Sequence, residues 1–180
     1  PSSYLRCFNF AKDSTQTMNR KEFKLRALQR EVETNRQLYD MFLTRFKEMS
    51  DQGGGELGLR TPFARGGFEI AALSAGLAKA ALLAVWGGEM DNAYALSRPP
   101  GHHCLPDWPN GFCLLNNIGI AIGAARAAGH QGRIAVIDWD VHHGNGTEAV
   151  FHDRADVLTI SLHQERNYPT DTGDITDRGR

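Results

Sequence analysis

Apolar positions recur at Leu25, Leu28, Val32, Tyr39, Phe42, Phe46 and Met49, with gaps that alternate three and four; Asn35 fills the one position the pattern skips. This is the a/d seam of an amphipathic helix or short coiled coil about three and a half heptads long. A polar Asn on such a seam sets register at some cost in stability. Two readings stay open: a helix packed on its own domain, or a seam for self-association over 25–49. Arg20, Lys21, Lys24, Arg26, Arg30 and Glu31 fall on the outer faces as solvated charge. Gly53-Gly54-Gly55 then breaks the helix, because glycine holds helical conformation only at an entropic cost.

Beyond the glycines the pattern becomes one of alternating helices and strands. Phe68 to Trp86 reads as a mostly buried helix stopped by Gly87-Gly88. Asn92 to Ser97 is a short strand candidate, and Leu114 to Ala128 is a helix with Gly129 as its C-terminal stop. The apolar runs Arg133 to Val141 and Val157 to Leu162 are strands, with a short helix from Thr147 between them. That order predicts an α/β domain over 53–180, a parallel sheet flanked by helices, preceded by a helical segment over 1–52. Ligands of such sheets bind beyond the carboxyl ends of the strands, so candidate chemistry is sought there.

Two polar clusters fall at those ends. Asp138-Trp139-Asp140-Val141-His142-His143-Gly144-Asn145-Gly146 follows directly on the strand Ile134 to Ile137. Strand side chains alternate faces, so Asp138, Asp140 and His142 are expected on one side, an oxygen and nitrogen set suited to a divalent metal such as zinc. Asp138 alternatively orients a neighbouring side chain. The bland reading is an aspartate cap and a polar turn into the next helix. The second cluster, Arg98-Pro99-Pro100-Gly101-His102-His103-Cys104, carries two imidazoles that titrate near neutral pH and can pass a proton in and out of a reaction. On its own, a His-His pair in a proline-glycine loop is surface decoration; beside an aspartate-rich strand end it is a candidate acid-base pair. Gly111-Phe112-Cys113 lines a narrow apolar entrance or packs in the core, and the sequence leaves both open.

Composition narrows the class. Hydrophobic residues at 41% and charged residues at 23% are ordinary for a globular chain. Twenty Lys plus Arg against 21 Asp plus Glu give a formal charge of -1, which disfavours direct nucleic-acid binding. No apolar run is expected to reach the ~18 residues of a membrane span, and the start lacks the order of a signal peptide. The chain has no initiator Met and reads as starting downstream of its natural beginning. Three cysteines without a CxxC indicate neither a disulfide framework nor a zinc knuckle, and Cys104 reads as a buried thiol. A reducing cytoplasm is the expected location, so the Asn145-Gly146-Thr147 sequon is taken as chance.

The segments RPPGHHC, NGFCLLNN, DWDVHHGNGT and ISLHQERNYPTDTGD occur in the order and spacing of histone deacetylase-type amidohydrolases, and the chain from Gly53 onward resembles the N-terminal half of that family. The Gln164 to Gly173 version looks more like the class II and bacterial members. The resemblance implies a single α/β domain related to arginase and a zinc-dependent deacetylase of acetyl-lysine or acetylated amines. It implies Asp140 and His142 as zinc ligands, His103 as principal general base and acid, and His102 as its neighbour held by Asp138. Asn145 then supports the second histidine, and Gly111 and Phe112 line the acyl-lysine channel. The family also binds a monovalent cation, potassium, which the resemblance assigns to Asp138, Asp140, the backbone at His142 and Leu162, and the Ser161 side chain. Separately, 19–50 is weakly similar to the helical hairpin of polysaccharide chain-length determinant proteins, through Glu31-Val32-Glu33, Leu38-Tyr39 and Phe42-Leu43.

The family's third zinc ligand, an aspartate, and its oxyanion-donor tyrosine belong to a C-terminal half that this chain does not include. The expectation is therefore an incomplete or rearranged gene product, a deacetylase half joined to an unrelated helix. Two alternatives stand beside a deacetylase. One is a ureohydrolase relative with two manganese ions, whose strand-end motif is similarly rich in Asp and His but which lacks the RPPGHH pair. The other is a non-catalytic helical interaction protein carrying a deacetylase remnant.

Overall fold

A computed structural model describes residues 53–179 and, before them, Arg20–Phe23, Leu25, Arg26, Gln29, Glu33, Thr44, Glu48 and Asp51, all helical and exposed. The chain forms two compact units, Pro1–Thr44 and Arg45–Arg180. In the first, Arg26 Nη2 pairs with Glu22 Oε1 at 2.6 Å, one helical turn apart on the solvent side. The seam from Leu25 to Met49, and the self-association read from it, lie outside the described residues apart from Leu25.

In the second unit, β1 (Gly54–Glu56) and β2 (Pro62–Ala64) form a short antiparallel ribbon, where the sequence shows only a glycine break. Helix α1 (Gly67–Trp86) ends at the glycine pair, as the sequence predicts, but it is not mostly buried, with Ile70, Leu73 and Leu77 exposed. Contrary to the expectation from the sequence, α1 is by length and composition apolar enough to cross a membrane, with a mean hydropathy of 1.7. Its small residues Ala71, Ser74 and Ala75 are buried. They sit on the helix that packs against α2 (Asn117–Ala127), whose Ala121, Ile122 and Ala125 are also buried. Small side chains let the two helices approach closely. Asn117 Nδ2 donates to Ser74 Oγ at 3.0 Å, and Ser74 Oγ donates to Pro99 O at 2.8 Å, which pins the loop before His102 to both helices. Asn116 caps α2, its side-chain oxygen accepting from Gly119 N at 2.8 Å.

Strand β3 (Ile134–Asp138) runs parallel to β4 (Val157–Ser161), in a register that pairs Ile134 with Val157 and Asp138 with Ser161. The crossover contains the short helix α3 (Asn145–Phe151). One sheet face packs into a core of Ile122, Phe151 and Val157, joined by Leu82, Ile118, Ile134, Val136 and Val150. The other, carrying Ala135, Ile137, Leu158 and Ile160, is exposed among the described residues, although parallel sheets are ordinarily covered on both faces.

The strand expected over Asn92 to Ser97 is not formed. Among the described residues they have no ladder partner, and Tyr94 and Leu96 are 88% and 83% exposed. A strand is stabilised by cross-strand neighbours, and residue preference cannot substitute for them. The named parallel sheet therefore has two strands, where the sequence predicts three.

Candidate active site

Strand β3 ends at Asp138, and the chain turns through Trp139 to Gly144 into α3. That turn meets the His102-His103 loop. The first amides of α3 hold the loop directly: Gly146 N and Thr147 N both donate to His102 O, at 2.8 and 3.0 Å. Such contact requires glycine at 146, where a Cβ would overlap Cys104 O and His103 C. Gly144 is equally constrained, since a Cβ there would overlap Asp138 Oδ2.

Both tandem histidines are anchored through Nδ1. His102 Nδ1 donates to Asp138 Oδ2 at 2.7 Å, and His103 Nδ1 donates to Asn145 Oδ1 at 2.9 Å. A hydrogen bond at one ring nitrogen fixes the tautomer and leaves Nε2 as the proton-accepting atom. The two rings stack tilted with centroids 3.9 Å apart, and His103 N donates to Cys113 Sγ at 3.4 Å. His103 is 3% exposed, and burial drives its pKa down to about 4; the His102 and His142 charges add to this, while the Asn145 bond opposes it. His103 is thus a neutral base at pH 7. Burial pushes the Asp138 carboxyl up, but the His102 hydrogen bond and charge outweigh it and hold the group ionised, below its usual range.

Asp140 and His142 face each other. Asp140 Oδ2 accepts from His142 N at 2.8 Å and lies 2.9 Å from His142 Nδ1. Asp140 N in turn donates to Asp138 Oδ1 at 3.1 Å. For Asp140, too, burial acts upward and is overcome by the His142 amide and the His102 charge. Asp138 and Asp140 are therefore divided between the two histidine groups, and the three-residue set expected on one strand face is not formed. The strand has ended by Asp140, so period-2 alternation no longer applies. Among the described residues no group of three or more His, Cys, Asp or Glu is placed to hold a metal.

The residues assigned to a monovalent cation are gathered at the same strand ends. Leu162 N donates to Asp138 O at 2.8 Å, and Ser161 Oγ accepts from Gly144 N at 3.3 Å and contacts His163 Nδ1 at 2.9 Å. Beneath them lies a histidine pair the sequence reading did not use. His143 bridges Thr172 Oγ1 at 3.0 Å and Glu148 Oε2 at 3.1 Å, and His163 Nε2 donates to Gly173 O at 3.0 Å. Glycine is required at 173, where a Cβ would overlap His163 Nε2.

Gly111 and Phe112 adopt left-handed backbone, at φ 52° and 66°, and Phe112 is 60% exposed, which excludes core packing for its ring. Tyr168, not singled out in the sequence, stands beside them. Its ring meets His103 edge-on at 5.1 Å and His142 at 5.9 Å, and its hydroxyl donates to Asn110 Oδ1 at 2.6 Å. A Cβ at Gly111 would overlap His103 Cδ2 and lie 2.9 Å from Tyr168 Cε1. Nothing in the spacing of the chain pairs 168 with 110 or 103. Cys104 and Cys113 are both buried, and burial pushes each thiol up to about 12.

The sequence and fold match known proteins. A family model described as Histone deacetylase domain matches residues 3–180, so the chain belongs to the histone deacetylase family. The match takes in the N-terminal segment as well as the α/β domain. The chain is 59% identical over 145 residues to a histone deacetylase-like amidohydrolase of Pseudomonas aeruginosa, covering 77% of this chain and 38% of the relative. It is 45% identical to a probable deacetylase of Archaeoglobus fulgidus, covering 69% and 34%. Among solved structures it superposes on the HDA15 HD domain with a TM-score of 0.71 at 35% identity, covering 78% of this chain and 40% of that one. It also superposes on an acetylpolyamine aminohydrolase from Burkholderia pseudomallei, with a TM-score of 0.63 at 43% identity, covering 67% and 35%. The chain thus spans only 34% to 40% of the length of these relatives. The likeness of 19–50 to chain-length determinants gains no support from them.

Proposed function

We propose that this chain carries the base-bearing part of a zinc-dependent deacetylase that hydrolyses the acetyl amide of acetyl-lysine or of an acetylated amine. The observation that carries the reading is the pair of stacked histidines, each held at Nδ1, one by a carboxylate and one by an amide. Two adjacent imidazoles with different anchors serve amide hydrolysis, which needs a proton removed from water and a proton given to a departing amine.

His103 takes the proton from the attacking water at Nε2. It is kept neutral at physiological pH by burial and aimed by Asn145. His102, held by Asp138 at Nδ1 and stacked on His103, shares the return of a proton to the amine. Gly111, Phe112 and Tyr168 form an aromatic-walled approach to these rings that suits a long aliphatic side chain. Asp140 Oδ2 and His142 Nδ1 converge at 2.9 Å, and this oxygen–nitrogen set fits zinc as two of the three protein ligands a catalytic site uses. Bound zinc supplies Lewis acidity and lowers the pKa of water toward neutrality. Asp138 and Asp140, the backbone at His142 and Leu162, and Ser161 Oγ would hold potassium.

The test is His103→Ala: deacetylation of an acetyl-lysine peptide falls by about 10²–10⁴, while zinc binding is retained. Unchanged turnover would remove His103 from the mechanism.

A further inference from the structure

The mouth of the approach to His103 is built from three chain segments, one of which carries Arg60. Leu59 O accepts from Gly111 N at 3.0 Å, and Arg60 O accepts from Phe112 N at 2.9 Å, so the Leu59-Arg60 turn is bonded backbone to backbone onto the Gly111-Phe112 lip. The third segment closes on both: Tyr168 Oη donates to Asn110 Oδ1 at 2.6 Å and reaches Leu59 O at 3.5 Å. Arg60 has left-handed backbone, at φ 52°, and its guanidinium carbon lies over the Tyr168 ring, 5.6 Å from the centroid. That ring is the one standing edge-on to His103 and His142. No ion pair among the described residues involves Arg60, and no carboxylate there is hydrogen-bonded to the side chains of Arg60, Asn110, Phe112 or Tyr168.

We infer that Arg60 is a specificity-determining residue, which selects acetyl-lysine peptides with an acidic residue next to the acetyl-lysine over peptides with a basic one and over acetylated polyamines. This rests on the deacetylase reading above and names its substrate class. An acyl-lysine chain passing between Phe112 and Tyr168 brings its flanking residues against the Leu59-Arg60 turn. There a flanking carboxylate meets a guanidinium already held by a ring face, with less freedom left to lose. A polyamine brings a second cation to the same spot, where Arg60 repels it.

The experiment measures dissociation constants of the full chain for two acetyl-lysine peptides, identical except for Asp or Lys on either side of the acetyl-lysine, and for an acetylated polyamine. The Asp peptide binds about two- to fivefold tighter than the Lys peptide, as exposed charge pairs allow, and the gap narrows from 50 mM to 500 mM salt. Arg60→Glu reverses the order, and Arg60→Lys, which keeps the charge, preserves it. Equal binding of the two peptides, a preference unmoved by Arg60→Glu, or tighter binding of the polyamine overturns the inference and leaves the deacetylase reading standing. Failure of every acetylated ligand to bind the folded chain overturns both.

Discussion

Replacing Asn145 by Ala isolates the bond that aims the proposed base. Asn145 Oδ1 accepts from His103 Nδ1 at 2.9 Å, between side chains that are both buried, His103 at 3% and Asn145 at 8% exposure. The residue is the first of α3, but the cap is Gly144 and no side chain caps the helix, so the substitution costs no cap. What it leaves is a buried ring N–H with no acceptor. An orphaned buried donor costs about 1–3 kcal/mol, and the small void left by the amide adds to that. The bond also raises the His103 pKa against the downward pull of burial, so without it the value falls below its present level of about 4. Urea melts at pH 7 measure the first effect, and proton NMR titration of the ring measures the second. Asn145→Asp keeps the acceptor and adds a charge, so it moves the pKa upward and restores most of the stability. A melt within 0.3 kcal/mol of the parent together with an unmoved titration would refute the assigned partner.

Other consequences follow from the same geometry. Between pH ~4 and ~6.5 the unfolded His103 binds a proton that the folded residue refuses, so stability rises with pH across that window. The full effect is about 3 kcal/mol, read as the difference between parent and His103→Gln melts at pH 4.5 and pH 7, and a flat difference would contradict the buried neutral imidazole. Gly111→Ala places a Cβ against His103 Cδ2 and Tyr168 Cε1 on left-handed backbone. It lowers stability by about 1–3 kcal/mol and weakens acetyl-lysine binding, both measurable by melts and calorimetry. Cys104 and Cys113, with thiols near 12, resist a maleimide at pH 8 in the folded chain and react after denaturation; rapid native labelling at either would contradict their burial.

Much of the site is written in contiguous residues. The run from Asp138 to Gly146 and the His102-His103 loop are legible because strand ends collect polar groups, and glycines mark where backbone passes close to side chains. The α1 helix and the two paired strands are legible from their apolar runs. What escaped depends on contacts distant in sequence. Tyr168 joins the site through Asn110 and His103, and a single aromatic in a polar loop has no periodic signature. The β1–β2 ribbon is three residues a side, too short to show alternation. The supposed strand over Asn92 to Ser97 has the right residues and no partner. Asp138 and Asp140 were expected to share a face, but the strand ends between them, and each carboxylate serves a different histidine.

The most direct test of the central claim is hydrolysis of an acetyl-lysine peptide by the 180-residue chain with and without zinc, beside Asp140→Ala. The account predicts that this chain binds zinc through Asp140 and His142, that Asp140→Ala abolishes that binding, and that any turnover requires the metal. Zinc affinity unchanged in Asp140→Ala, or turnover that survives zinc removal, would contradict it.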